Sequence, residues 1–189
     1  MKASTSFLSV VAIVWALLLI PDSTLVAADH GAKRKKTTTI VIHAIGGAAC
    51  ERAKVIWFGA KGSAKQWKAY FESKPDLSIH YIVDREGTVV ADVPDDAIAF
   101  HARSANPYSV GIELVNNGDG RDPFPAAQVS SLVGLLREVM ARYNLSPDAI
   151  KAHSDLDKEV MPCGDALLKR RVDPGPLLDL NVIRSQLRN

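Results

Sequence analysis

Three side chains of metal-binding type lie where the local sequence restricts the backbone. Asp173 is followed by Pro-Gly-Pro, and because proline fixes φ while glycine allows a sharp turn, this carboxylate is held in one direction. His153 follows a short apolar and basic run, and His43 ends the run TTTIVIH. Two imidazoles and one carboxylate leave a fourth position on a zinc ion for water, which is the composition of a catalytic zinc site.

A further ionisable side chain lies inside an apolar strand. Glu113 stands within the predicted strand 109–115 with an apolar residue on either side, and burying a carboxylate costs free energy unless it is paired or functional. A carboxylate that faces the metal could take a proton from the attacking water, and its burial would tune its basicity. An ion pair with Arg171 or Lys169 is the alternative role, and the two are compatible.

The elements that must position these residues follow from the spacing of apolar side chains. The β-branched run 37–42 is typical of a strand buried on both faces, and it brings His43 to the strand end. A short strand over 150–152 delivers His153. Residues 79–83 and 88–93 flank a turn and predict a hairpin. Helices are predicted from a Ser63 cap to Glu72, over Ala126–Tyr143, and from an Asp179 cap to about Leu187.

The N-terminal sequence predicts export. Residues 7–20 are apolar except for one serine, a run shorter than the roughly 20 residues that span a bilayer. Small residues at 26–28 suit cleavage, so we expect a signal peptide over 1–28 and a periplasmic or secreted protein. An uncleaved anchor is the alternative. Residues 29–37 are expected to form a basic tether, either solvated or resting on an anionic surface, and 38–189 a single domain.

Several segments together resemble one family. IVIHAIGG, IHYIVDREGTVV, AIAFHARSANPYSVGIELVN, HSDLD and RVDPGP occur in order and cover roughly residues 38–186. In these the chain resembles the type 2 N-acetylmuramoyl-L-alanine amidases, which are related to phage T7 lysozyme and the animal peptidoglycan recognition proteins. The resemblance implies an α/β fold in which one central mixed β-sheet is flanked by α-helices.

The resemblance also implies an activity and its residues. The amidases hydrolyse the amide between N-acetylmuramic acid and L-alanine in peptidoglycan or muropeptides, with Zn²⁺ on residues matching His43, His153 and Asp173. Glu113 would be the general base. Many relatives carry a lysine two places before the last ligand. Arg171 stands there in this chain, so either Arg171 or Lys169 is expected to stabilise the oxyanion.

Other matched positions are expected near the substrate. His80, His101 and Asn106 are predicted to lie at the substrate groove, although His80 suits a structural role and Asn106 also turns the chain into the next strand. His101 is the substitute ligand if the metal set is wrong. Cys50 and Cys163 would be carried towards the same neighbourhood and are predicted to form a disulfide. Because some relatives use cysteine as the last ligand, one of them binding zinc is the alternative.

The remaining expectations concern role and partners. Peptidoglycan or a muropeptide is the expected partner of a monomer that binds no nucleic acid and does not insert stably in a membrane; a net charge of +2 says little on its own. Cell-wall remodelling or recycling is the expected role. A non-catalytic peptidoglycan-binding module, an amidase sent against competitor cells and a metal-free structural domain are the alternatives.

Overall fold

The computed structural model describes residues 32–188. Its strands are β1 (Thr39–Ala44), β2 (Gly47–Glu51), β3 (Lys54–Phe58), β4 (Tyr81–Val83), β5 (Val89–Ala91), β6 (Ser109–Leu114), β7 (Ile150–Ala152), β8 (Val160–Cys163) and β9 (Ala166–Lys169). Its α-helices are α1 (Ala64–Glu72), α2 (Ala126–Tyr143), α3 (His153–Leu156) and α4 (Leu180–Arg188), with 3₁₀ turns at Arg103–Tyr108 and Pro147–Ala149.

A five-stranded mixed sheet in the order β5-β4-β6-β1-β7 forms the centre of the fold. β1 pairs in parallel with both β6 and β7, β4 is parallel to β6, and β5 is antiparallel to β4. The prediction of a strand buried on both faces is confirmed for β1, in which residues 40–44 are all buried. Parallel pairing brings the carboxyl ends of β1, β6 and β7 to the same edge of the sheet.

Helices cover both faces of this sheet. On one face, side chains of α2 and α4 pack with β1, β6 and β7 in the larger apolar cluster. On the other, Phe71 of α1 packs with Ile79 and Ile82. Successive residues of a strand point to opposite faces, and Ile82 and Val83 of β4 accordingly belong to different clusters. The predicted fold class, one mixed sheet flanked by helices, is confirmed.

The helix boundaries follow the capping signals in the sequence. Ser63 accepts the N–H of Gln66 while the Gln66 side chain accepts the N–H of Ser63, which closes a capping box at the start of α1. α2 has the predicted bounds, and it ends at Asn144 in the left-handed conformation. The Asp179 carboxylate accepts N–H groups of the first turn of α4. These three predictions are confirmed.

Two hairpins were not predicted. β2 pairs with β3 and β8 with β9, each as a separate two-stranded antiparallel sheet. The predicted disulfide joins them, since Cys50 of β2 is bonded to Cys163 of β8 with 5.6 Å between their Cα atoms. The alternative that one cysteine binds zinc is wrong because neither has a free thiolate.

Only part of the N-terminal sequence lies within the described residues. The predicted signal peptide over 1–28 lies outside the described residues. Within the expected tether, Lys33 forms a β-bridge with Ala97, and the Arg34 guanidinium donates to the carbonyls of Asp95 and Ser109. Arg34 therefore differs from the expected solvated tether, because its charge is bound to the domain. Among residues 32–188, no helix combines the length and apolar composition needed to cross a membrane.

Candidate active site

His43, His153 and Asp173 converge on one point at the carboxyl edge of the sheet. His43 lies near the end of β1, and His153 is the first residue of α3, directly after β7. His43 Nδ1 lies 3.0 Å from His153 Nδ1 and 3.2 Å from Asp173 Oδ2, and the latter two atoms are 3.0 Å apart. All three side chains are buried and each offers one ligand atom, so together they could hold a metal ion.

The loop that carries Asp173 is held by backbone contacts. The Asp173 carbonyl accepts the N–H of Ser154 at 3.0 Å, next to His153. Gly175 has φ +91°, and a Cβ there would lie 2.5 Å from the Gly118 carbonyl oxygen, so only glycine fits at this turn. Burial alone would raise the pKa of Asp173, but the hydrogen bond with His153 and the proximity of the His43 ring bring it well below its ordinary value. The carboxylate is therefore ionised, as a metal ligand must be.

Glu113 faces the same space from the neighbouring strand. It is the register partner of His43 across the β1–β6 pair. Its Oε2 atom is buried without a hydrogen-bond partner. Burial, reinforced by the negative charge of Asp173 and opposed by Arg171, raises the pKa of Glu113 well above its ordinary value. A carboxylate with a buried, unpartnered oxygen beside a candidate metal site has the properties of a general base.

A cavity of about 550 Å³ opens over these four residues. Its lining includes aromatic and apolar side chains as well as two arginines. The aromatic and apolar set, which we call the aromatic wall, consists of Phe58, Trp67, Tyr70, Phe71 and Leu77, and the arginines are Arg170 and Arg171. An organic substrate with both apolar and anionic parts fits such a cavity.

The structure separates the two candidates for the oxyanion site. Arg171 lines the cavity beside Asp173, and its charge influences the pKa of both His43 and Glu113. Lys169 lies at the end of β9, paired with Val160, and is absent from the lining of that cavity. The geometry favours Arg171.

His80 and Asn106, two of the predicted substrate-site residues, bond to the protein backbone. His80 is fully buried; one ring nitrogen accepts the N–H of Gly111 at 2.9 Å and the other bonds the Ala97 carbonyl at 3.1 Å. The side-chain oxygen of Asn106, Oδ1, accepts the N–H groups of His101 and Ala102. Neither His80 nor Asn106 lines the cavity. Both bond to the backbone that carries the site, and their contact with substrate stays a prediction.

His101 lines the cavity as predicted, but it is not one of the three residues whose ligand atoms converge. Its Nδ1 is 3.0 Å from His43 Nε2, the ring nitrogen that points away from Asp173, and its Nε2 is 3.2 Å from Ser109 Oγ. Burial lowers the pKa of His101 well below its ordinary value and that of His43 to about 4. Sequence reasoning missed Ser109; its place at the start of β6, after the FHARSANPY segment, was the available signal.

A comparison with protein-family models shows which family the chain belongs to. The model described as N-acetylmuramoyl-L-alanine amidase matches residues 33–176, a range that holds His43, Glu113, His153 and Asp173. The chain belongs to this amidase family. The resemblance seen in the sequence segments is thereby confirmed, and the chain is a member of a family of hydrolases.

Individual amidase relatives differ in how much of their length is matched. The endolysin of Enterobacteria phage K11 is 32% identical over 151 residues, which cover 77% of this chain and 92% of the endolysin. The 1,6-anhydro-N-acetylmuramyl-L-alanine amidase AmpD of Enterobacter cloacae is 33% identical over 119 residues, 59% of this chain and 57% of AmpD.

A solved amidase shares the fold. The N-acetylmuramyl-L-alanine amidase AmiD of E. coli, determined with the substrate anhydro-N-acetylmuramic acid-L-Ala-D-γ-Glu-L-Lys, superposes with a TM-score of 0.60 at 24% identity. The superposition covers 82% of this chain and 59% of AmiD. At this identity the likeness shows the fold alone.

Proposed function

We propose that this protein is a zinc-dependent N-acetylmuramoyl-L-alanine amidase that cuts the amide between the lactyl group of N-acetylmuramic acid and L-alanine. The convergence of His43, His153 and Asp173 beside the unpartnered Glu113 carries the proposal. A peptidoglycan-binding module needs the cavity, but it has no use for a buried carboxylate with a raised pKa at the base of it.

The donor set and its spacing fit zinc. Zinc binds imidazole nitrogen and carboxylate oxygen at about 2.0–2.2 Å in a tetrahedral arrangement, so two ligand atoms stand roughly 3.3 Å apart. The three ligand-atom separations here are 3.0, 3.0 and 3.2 Å. Three protein ligands leave one position open, which distinguishes catalytic from structural zinc sites.

When bound, zinc supplies Lewis acidity that polarises the scissile carbonyl and increases the acidity of water. Glu113 accepts the proton of the attacking water, since burial raises its pKa and makes the carboxylate more basic than an ordinary one. The same carboxyl then donates that proton to the nitrogen of the leaving L-alanine. Arg171 lies at the cavity wall, where its charge stabilises the developing oxyanion.

The lining of the cavity offers both apolar and cationic contacts to a muropeptide. The aromatic wall of Phe58, Trp67 and Tyr70 can stack on a sugar ring or an apolar side chain. The Arg171 guanidinium supplies positive charge at the lining of the cavity, whereas the Arg170 guanidinium is paired with Asp157 and Glu159. Because relatives act on fragments of the cell wall, we place the protein in wall remodelling or recycling, in the periplasm or outside the cell.

The test uses purified mature protein and anhydro-N-acetylmuramic acid-L-Ala-D-γ-Glu-L-Lys, together with its non-anhydro counterpart. Mass spectrometry of the products is made with and without a chelator. We expect free tripeptide, lost on chelation and restored by Zn²⁺. Lys169→Ala serves as a matched cationic control that retains turnover. Intact substrates after incubation with folded, zinc-loaded protein that binds them would overturn the proposal in favour of the binding module.

A further inference from the structure

A chain of hydrogen bonds runs from the metal-facing ring of His43 into the protein interior. His43 Nε2 lies 3.0 Å from His101 Nδ1, and His101 Nε2 lies 3.2 Å from Ser109 Oγ. Ser109 Oγ in turn donates to the Ala105 carbonyl oxygen at 2.7 Å. His43, His101 and Ser109 are all buried, with Ser109 fully so, which leaves these bonds without competition from solvent.

The position of every proton in this chain follows from its inner end. A carbonyl oxygen only accepts, so the one hydroxyl proton of Ser109 goes to Ala105. His101 Nε2 must then carry a proton and donate it to Ser109. A neutral imidazole has one N–H, so His101 Nδ1 is an acceptor and receives the proton of His43 Nε2. His43 Nδ1 is left as a bare lone pair directed at His153 and Asp173.

We propose that Ser109 and His101 are positioning residues that select the His43 tautomer able to bind zinc through Nδ1. The inference rests on the zinc site of the proposed function and adds two residues that do not touch the metal. Ring nitrogens of metal-binding histidines ordinarily donate to a carboxylate, a backbone carbonyl or water. Here the acceptor is a second histidine, which must itself be held in one tautomer.

The surrounding backbone is built to hold His101. The Asn106 side-chain oxygen accepts the N–H groups of His101 and Ala102 at 3.1 and 2.6 Å, which orients the segment from which the ring projects. Gly111 of β6 makes room for the ring, since a Cβ there would lie 2.6 Å from His101 Nδ1. These contacts also give Asn106 a role in the site without substrate contact.

The selected tautomer affects the interaction between His43 and Asp173. With a bare Nδ1, His43 cannot donate to Asp173 Oδ2, although the two atoms lie 3.2 Å apart. Two acceptors at this distance repel each other unless a cation or a proton from His153 lies between them. The hydrogen-bond chain therefore favours metal binding over a closed set of hydrogen bonds among the three ligands.

Two variants of His101 separate positioning from packing. His101→Leu keeps much of the volume and removes the acceptor, and we expect zinc affinity, measured by competition with a chromophoric chelator, to fall by roughly 10–100-fold. In His101→Asn the side-chain oxygen can occupy the place of Nδ1 and accept from His43, so most of that loss should be recovered. Ser109→Ala frees the proton of His101 and should weaken zinc binding by roughly 10-fold or less.

The tautomer of His43 can be measured by NMR spectroscopy, independently of enzymatic activity. In metal-free wild type, ¹⁵N–¹H correlation through the imidazole rings should show His43 with its proton on Nε2. In His101→Leu the His43 signals should move towards a mixture of the two tautomers. Val110→Ala, a cavity-forming change in the core next to Ser109, should lower thermal stability and leave both zinc affinity and the His43 tautomer unchanged.

The outcomes distinguish this inference from the proposed function. Wild-type protein that is folded and binds no zinc would overturn the zinc amidase, while the ¹⁵N spectrum of the metal-free protein still tests the tautomer. Wild type with its His43 proton on Nδ1 would overturn the inference. So would a folded His101→Leu variant that binds zinc as tightly as wild type.

Discussion

Two half-buried carboxyl groups in this protein have opposite surroundings. Asp95 accepts hydrogen bonds from Tyr81 at 2.9 Å and Tyr143 at 3.0 Å and pairs with Arg142. Burial alone would raise the pKa of Asp95, but the bonds from Tyr81, Tyr143 and Arg142 bring it below its ordinary value. Asp95 and these three partners form what we call the Asp95 cluster.

Glu113 has no such partners at its buried oxygen. Its Oε2 is unbonded, and burial together with the charge of Asp173 raises the pKa of Glu113 well above its ordinary value despite Arg171 nearby. A carboxylate with several donors stabilises the fold and has little tendency to take a proton. A carboxylate without hydrogen-bond donors destabilises the fold and has a greater tendency to take a proton. The difference supports the proposed role of Glu113, and not Asp95, as the reacting acid.

We expect the largest loss of activity from a substitution that weakens zinc binding. Asp173→Asn replaces a charged ligand with a neutral amide, and we expect zinc affinity and turnover to fall by more than the roughly 100-fold typical of residues outside the ligand set. Zinc content after dialysis and muropeptide cleavage measure both. Asp165→Asn, an exposed residue of the β8–β9 turn, is the matched control. Full zinc content in Asp173→Asn would remove Asp173 from the ligand set.

Glu113→Gln should reduce kcat by roughly 10²–10⁴-fold while zinc stays bound. In the metal-free protein it should also raise the melting temperature at neutral pH. The raised pKa means that the ionised form is disfavoured in the folded state, so the cost is present above the ordinary carboxyl pKa and disappears as the group protonates at lower pH. The stability gain should therefore shrink on acidification. A variant with full turnover, or one less stable at neutral pH, would contradict this account.

Arg171→Ala and Lys169→Ala compare the two cationic candidates. Loss of an oxyanion-stabilising donor costs roughly 10²–10³-fold in kcat, and we expect this for Arg171, which lines the cavity. Lys169→Ala should change kcat little. Steady-state kinetics at saturating substrate separate kcat from KM. A larger loss of kcat for Lys169→Ala would reverse the assignment.

Asp95→Asn should have the smallest effect on turnover and a clear effect on stability. Losing hydrogen bonds from a charged acceptor costs about 1.5–3 kcal/mol, measured by denaturant unfolding. Because the pKa of Asp95 is lowered in the folded state, its stabilisation is present above the ordinary carboxyl pKa and is lost as pH falls through the folded value. The difference from wild type should vanish in strong acid. Reduced turnover in folded Asp95→Asn would contradict the separation between the Asp95 cluster, which stabilises the fold, and the candidate active site.

Much of this architecture was determined by local sequence. The capping residues Ser63 and Asp179 set the starts of α1 and α4, because a cap depends on N–H groups within the next three residues. The β-branched run before His43 specified a buried strand. The metal candidates were found by residue type and backbone restriction, and the structure brings them together.

Tertiary structure decided what depends on distant partners. The hairpins β2–β3 and β8–β9 lack a strong periodic signal, and the disulfide joins residues 113 positions apart. Whether Arg171 or Lys169 reaches the cavity depends on how the chain leaves β9. The bonds of His80 to Ala97 and Gly111, and the path from His43 through His101 to Ser109, join segments that meet only in the folded sheet. Sequence determined which side chains could react, and the fold decided where their protons lie, because a proton's position is set by the partner on the far side of each ring.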